Sequence, residues 1–191
     1  MTWKNLPPDF SFESFVDLFK ILSFSDSFAL CCYSGSCDTL VLMVCNAEMD
    51  AQKYVASKSV ESGGLLIGRT FINTDESLFN IKYVVMVTGC VSADHAKGTA
   101  TALRMEPQLW SKANSIKTDK EFVVGWFHSH PNLGAFFSGT DRRTQASFFQ
   151  DEHKIGWVID PVRKEEAWFQ GVNSVQLLPQ MIVRGDFQLL I

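Results

Sequence analysis

The chain has 191 residues, enough to bury one domain-sized core, with 17 Lys and Arg against 21 Asp and Glu, a net charge of -4. That balance, with no basic run, argues against a nucleic-acid partner, and no unbroken apolar run exceeds that of Leu40-Val41-Leu42-Met43-Val44-Cys45, far too short to span a bilayer. An odd count of five cysteines, and a first segment (Met-Thr-Trp-Lys-Asn-Leu-Pro-Pro) without the apolar core of a signal peptide, predict free thiols in a reducing, cytoplasmic setting.

Phe12, Phe15, Val16, Phe19 and Leu22 recur at helical spacing and predict an amphipathic helix. Residues 28–33, Phe-Ala-Leu-Cys-Cys-Tyr, predict an added strand. Residues 1–38 therefore read as an N-terminal extension, either packed on the core or offered to a partner protein. Cys31-Cys32-x4-Cys37 has no Cys-x-x-Cys pair and no neighbouring histidine, so its thiols are expected as small core side chains, not metal ligands.

A core follows over 39–171. Residues 39–45 predict a strand, and Asn46 is placed to cap a helix carrying Ala47, Ala51, Tyr54 and Val55 on one side. Glu61 directly precedes a glycine-flanked apolar strand at 63–69, and residues 73–77 (Asn-Thr-Asp-Glu-Ser) predict a turn. Alternation of Phe79, Ile81, Tyr83, Val85 and Val87 predicts a long strand. Pro107 opens a helix with Leu109, Trp110, Ala113 and Ile116 inward. Residues 121–127, Glu-Phe-Val-Val-Gly-Trp-Phe, predict a buried strand that leads into the histidines. A helix over 140–149 and strands at 155–159 and 167–170 complete the core, with Asp160-Pro161 starting the last turn. In the tail, 172–191, Gln176-Leu177-Leu178 and Met181-Ile182-Val183 look ordered. His95 and His153 are expected as ordinary surface or loop residues. Periodicity alone gives a mixed α/β class in one domain.

The chemistry gathers between His128 and Asp141, in His-Ser-His-Pro-Asn-Leu-Gly-Ala-Phe-Phe-Ser-Gly-Thr-Asp. Residues i and i+2 of a strand face the same side, so His128 and His130 can reach one ion if the strand geometry continues through them. Pro131 cannot donate to a ladder and should stop the pairing. Ser138 or Thr140 stands ready to cap the next helix, with Asp141 in a first turn whose dipole favours a carboxylate. Two imidazoles and a carboxylate suit a catalytic zinc site with three protein ligands and a fourth position for water. Glu61, between a helix and a strand, reads from its own surroundings as an ordinary polar residue, with a general base as the alternative.

Glu61, His-x-His, seven residues, Ser, two residues and Asp, within Glu61-Ser-Gly-Gly-Leu-Leu-Ile-Gly and Gly125-Trp-Phe-His-Ser-His-Pro-Asn-Leu-Gly-Ala-Phe-Phe-Ser-Gly-Thr-Asp141, resembles the JAMM metalloproteases, also called the JAB or MPN-plus family. The resemblance covers roughly residues 39–171, and the compact chain resembles stand-alone bacterial members. It implies an α/β fold, a mixed β-sheet flanked by helices. It implies one catalytic Zn2+ held by His128, His130 and Asp141, with Glu61 as the base and Ser138 as the oxyanion donor. It further implies cleavage of the peptide or isopeptide bond after the tail of ubiquitin or a ubiquitin-like protein. Ubiquitin-activating and ubiquitin-conjugating-like enzymes are the implied partners, in settings that include antiviral operons. Other expectations stay open: a hydrolase of a sulfur-carrier-type conjugate or peptide, or a non-catalytic scaffold of the same fold. A nucleobase deaminase is disfavoured because its Pro-Cys-x-x-Cys element is missing. Leu133, Ala135, Phe136 and Phe137 are expected to wall the substrate channel or to anchor its loop.

Overall fold

The computed structural model describes residues 12–31, 38–74, 80–93 and 106–187. Its centre is a mixed sheet whose strands run β8-β7-β6-β5-β3-β4-β2-β9. The strands are β1 (Glu13–Ser14), β2 (Thr39–Val44), β3 (Gly63–Ile72), β4 (Tyr83–Ser92), β5 (Phe122–Ser129), β6 (Ile155–Asp160), β7 (Glu165–Gln170), β8 (Val175–Leu177) and β9 (Ile182–Gly185). The helices are α1 (Phe15–Ile21), α2 (Phe24–Cys31), α3 (Cys45–Ala56), α4 (Pro107–Ile116) and α5 (Gly139–Phe148). None is long and apolar enough to cross a membrane, among the described residues. The expected α/β class with a helix-flanked mixed sheet is what the chain forms.

Both faces of the sheet are covered, which explains strands that are apolar throughout. Along β2, Val41 and Met43 pack with α3, while Leu40 and Leu42 pack with α1 and α2. Leu65, Ile67 and Trp126 face a third cluster with Leu109 and Ala113 of α4 and Phe149 just after α5.

The tail supplies both outer strands. β8 pairs antiparallel with β7, and β9 pairs parallel with β2. Only Leu178 and the 3-10 turn Pro179–Met181 separate them. The five steps from Leu177 to Ile182 reach at most about 18 Å. Eight strands lying flat would set the outer two roughly 34 Å apart. The sheet must therefore curl, and α3 sits in the curl, where Ala47, Ala51 and Val55 meet residues from β2 to β9.

Several local expectations change. Residues 28–31 are helix, not strand, because Ser23 Oγ accepts the Asp26 N–H (3.1 Å) and starts α2; Cys32 and Tyr33 lie outside the described residues. Cys31 is exposed at the end of that helix, not in the core. Helix α3 begins at Cys45 with Val44 at its N-cap, so Asn46 lies inside the first turn and caps nothing. Strand β4 starts at Tyr83 and runs on to Ser92; Ile81 is buried ahead of it, and Phe79 and most of the predicted 73–77 turn lie outside the described residues. Ile116 is exposed, while Leu109 and Ala113 carry the inward face of α4. His153 is buried, edge-on to Phe12 at 4.8 Å, and His95 lies outside the described residues.

Candidate active site

The site forms where the ends of β5 and β6 meet the start of α5. Strand β5 pairs antiparallel with β3 and parallel with β6, placing Gly63 and Val158 opposite His128. Gly63 is required there: a Cβ would lie 2.1 Å from the Phe127 carbonyl oxygen and 2.8 Å from His128 Cα. The ladder extends one residue past β5, because the His130 N–H donates to the Ile159 carbonyl (2.9 Å). His128 and His130 consequently share the face turned toward α5, as their spacing predicts.

Ser129 points the other way and secures Glu61. Its N–H donates to the Ser62 carbonyl (2.8 Å), and its Oγ accepts the Ser62 N–H (3.1 Å). Both serines are buried. Sequence reasoning passed over this clasp, although the middle residue of a His-x-His strand must face the opposite layer.

Ser138, and not Thr140, caps α5. The Asp141 N–H donates to Ser138 Oγ (3.3 Å), and the Ser138 N–H donates to Asp141 Oδ2 (2.6 Å), a reciprocal capping box. The box aims the carboxylate: Oδ1 stands 3.2 Å from His128 Nε2 and Oδ2 stands 3.4 Å from His130 Nε2. The two Nε2 atoms are 3.1 Å apart. Glu61 Oε1 lies 3.8 Å from His130 Nε2. All five predicted residues thus occupy one corner of the fold.

This donor set fits a zinc ion. Ligand bonds of about 2.0–2.1 Å in a tetrahedron give edges of roughly 3.3 Å, close to the three separations here. Two buried ring nitrogens that face each other and an anion are an arrangement that a cation between them stabilises. The protonation tendencies agree. Burial holds His128 below the usual imidazole value. Burial disfavours charge on His130 as well, but the Asp141 and Glu61 carboxylates outweigh it and raise its value. Asp141 is buried too, yet hydrogen bonds from both imidazoles hold its carboxyl well below the usual carboxylate range. Glu61 is pushed up by burial and by Asp141, against the pull of His130. A carboxylate raised in this way makes a better proton acceptor near neutrality.

The approach is partly apolar. Phe136 is exposed and sits edge-on to His130 at 5.1 Å, and Leu133, earlier in the same loop, is exposed too. Phe137 is instead buried and stacked on Phe169 at 4.0 Å, so it anchors the loop and does not wall a channel. The loop is held from below by Asp160. That fully buried carboxylate accepts N–H groups from Asn132 (3.0 Å), Gly134 (2.7 Å), Val162 (2.9 Å) and Arg163 (3.0 Å). Burial opposes its charge, but these bonds win and bring it down to about 2. The sequence marked Asp160 only as the start of a turn.

Residues 48–171 match the protein family described as prokaryotic homologues of the JAB domain. The 26S proteasome non-ATPase regulatory subunit 14 of Drosophila melanogaster is 39% identical over 68 residues, 35% of this chain and 22% of its own length. COP9 signalosome complex subunit 5 of Candida albicans is 32% identical over 124 residues, 64% of this chain and 20% of its own. Subunit 5b of Arabidopsis thaliana is 32% identical over 110 residues, 57% and 29% of the two chains. The matches therefore span less than a third of each of these relatives. Among solved structures, that of protein DSY2949 from Desulfitobacterium hafniense aligns with a TM-score of 0.57 at 16% identity, covering 77% of this chain and 94% of that one, a likeness of fold.

Proposed function

The chain belongs to the family of prokaryotic homologues of the JAB domain, and on that footing we propose that it is a zinc-dependent hydrolase. Its substrate is the peptide or isopeptide bond after the C-terminal tail of a ubiquitin or ubiquitin-like protein. The observation that carries this reading is the convergence of His128, His130 and Asp141 at 3.1–3.4 Å with Glu61 3.8 Å from His130.

His128, His130 and Asp141 would hold the ion. Zinc, when bound, supplies Lewis acidity and lowers the pKa of its water from ~15.7 to about 7. Glu61 accepts the proton of the attacking water at its carboxylate and returns it to the leaving nitrogen. The Ser138 oxygen accepts the Asp141 N–H and its hydroxyl also bonds the Asp141 carboxylate, so its hydrogen would turn from that carboxylate to the substrate carbonyl oxygen as that atom gains charge. Losing such a donor typically costs on the order of 3 kcal/mol in barrier. Phe136 shields His130 and offers an apolar surface to a passing chain.

Similarity to subunits of the 26S proteasome and the COP9 signalosome supports a macromolecular substrate. Ubiquitin-activating and ubiquitin-conjugating-like enzymes would be its companions, with antiviral defence as one setting. Free thiols at Cys31, Cys45 and Cys90 suit the reducing cytoplasm.

The test is cleavage of ubiquitin-like fusion proteins by wild type, by wild type with a chelator, and by Glu61→Ala. Wild type should cut after the modifier's tail, and both controls should stop, with zinc still bound to Glu61→Ala. An active Glu61→Ala protein removes Glu61 from the role of base. A zinc-loaded wild type that ignores every fusion but releases a sulfur-carrier-type conjugate would replace the substrate class.

A further inference from the structure

We propose that Trp126 and Gln145 are positioning residues that set the tilt of the His128 ring toward the metal. The inference rests on the zinc reading above and concerns how that site is held.

A metal-binding imidazole is usually oriented by a hydrogen bond to its other nitrogen. His128 has none: its Nδ1 is buried without a hydrogen-bond partner among the described residues. Something else must fix the ring. Trp126, two residues earlier on the same face of β5, stacks flat against it, with centroids 4.5 Å apart and planes 6° from parallel. Phe137 lies obliquely against the same imidazole at 5.9 Å.

The indole is itself held. Its Nε1–H donates to Gln145 Oε1 at 2.7 Å. The orientation of the Gln145 amide follows from its other partners. Nε2 donates to the Phe149 carbonyl (2.9 Å) and the Lys154 carbonyl (3.2 Å), which are acceptors only, so the oxygen is left for the indole. Gln145 is fully buried and lies one turn after Asp141 on α5. One helix therefore delivers a ligand from its first turn and a brace for a second ligand from the next. The sheet keeps space for the brace at Gly156. A Cβ there would lie 2.9 Å from Gln145 Oε1, 3.0 Å from Trp126 Nε1 and 2.5 Å from Phe137 Cζ.

The experiment compares wild type, Gln145→Met and Trp126→Phe in the full chain. Zinc affinity is read by chelator competition, and ligand geometry by the visible spectrum of the cobalt-loaded proteins. Folding is followed by circular dichroism and thermal melting. Gln145→Met should weaken zinc binding about ten- to a hundredfold, the range seen when an outer support of a ligand is removed, and should alter the cobalt bands. Trp126→Phe, which keeps an aromatic face but loses the N–H, should shift both in the same direction by less. The double variant should lose less than the two single losses combined, because both act through one contact. If both variants match wild type in zinc affinity and cobalt spectrum while only melting lower, the pair is core packing and the proposal is overturned. Wild type that binds zinc tightly yet cleaves nothing would overturn the hydrolase reading, with the proposal still decided by the variants' affinities. Wild type that binds neither metal would overturn both.

Discussion

Helices α1 and α5 begin in the same way. Ser14 and Asp17 exchange the hydrogen bonds that Ser138 and Asp141 exchange, serine hydroxyl to backbone N–H and carboxylate to backbone N–H. What differs is what the aspartate sees beyond its own helix. The Asp17 side chain is 41% exposed and pairs with Lys20 one turn on. The Asp141 side chain is 10% exposed and faces His128 and His130. The Ser14 hydroxyl and the Lys20 ammonium bring Asp17 down to about 2, whereas two buried imidazoles hold Asp141 lower still. A Ser-x-x-Asp start is thus a local device that fixes where a carboxylate points, and the strand opposite decides whether it meets histidines.

Substitutions at matched positions should separate the two roles. The largest effect is expected from Asp141→Asn, which keeps an acceptor for the Ser138 N–H but removes the proposed anionic ligand. Zinc affinity should fall by more than about a hundredfold and turnover should vanish, while Asp17→Asn leaves both unchanged; elemental analysis and fusion cleavage decide it. Next, Ser138→Ala should lower turnover by about 10²–10³ and cost the helix cap about 1 kcal/mol. Ser14→Ala should show only the cap loss, by thermal melting. If the two serine variants turn over equally, Ser138 has no part in the reaction.

A carboxylate with backbone donors and no histidine sharpens the contrast. Asp160→Asn should cost on the order of 2 kcal/mol, since hydrogen bonds to a buried charge are lost, with zinc content unchanged at saturating metal. The smallest effect is in acid. Asp17 and Asp160 both titrate at about 2 when folded, against about 3.9 in an unfolded chain. Their stabilisation is whole above pH ~4 and fades as pH falls toward 2. Melting temperatures between pH 5 and pH 2.5 should therefore decline less steeply in Asp160→Asn than in wild type.

The sequence exposed what local spacing encodes. Alternation and cap chemistry located β3, β5, β6 and α5, and a same-face rule joined His128 to His130. It failed where a local signal was overlooked or where the partner lies far along the chain. Ser23-x-x-Asp26 was a helix start ahead of an apolar run that resembled a strand. Ile116 continues the helical pattern of α4, but that helix rests on the sheet only through its earlier turns, so the side chain emerges into water. Phe136 and Phe137 are adjacent and chemically alike, and partners distant in sequence, Phe169 and Trp126, hold Phe137 inward. Gln145 lies at the i+4 position from Asp141, a spacing visible in sequence, but its importance depends on Trp126, 19 residues away.

The curl of the sheet also bears on synthesis. Strand β2 is apolar from Leu40 onward, and its outer edge is satisfied only when Ile182 to Gly185 arrive, with Val41 waiting for Ile182. Contacts so distant in sequence form late. A nascent chain therefore carries an open, sticky edge while β3 and β5, which frame the candidate site, have already emerged from the ribosome. An unpaired apolar edge is a template for aggregation, so a chain interrupted before β9 should aggregate even with His128, His130 and Asp141 all present.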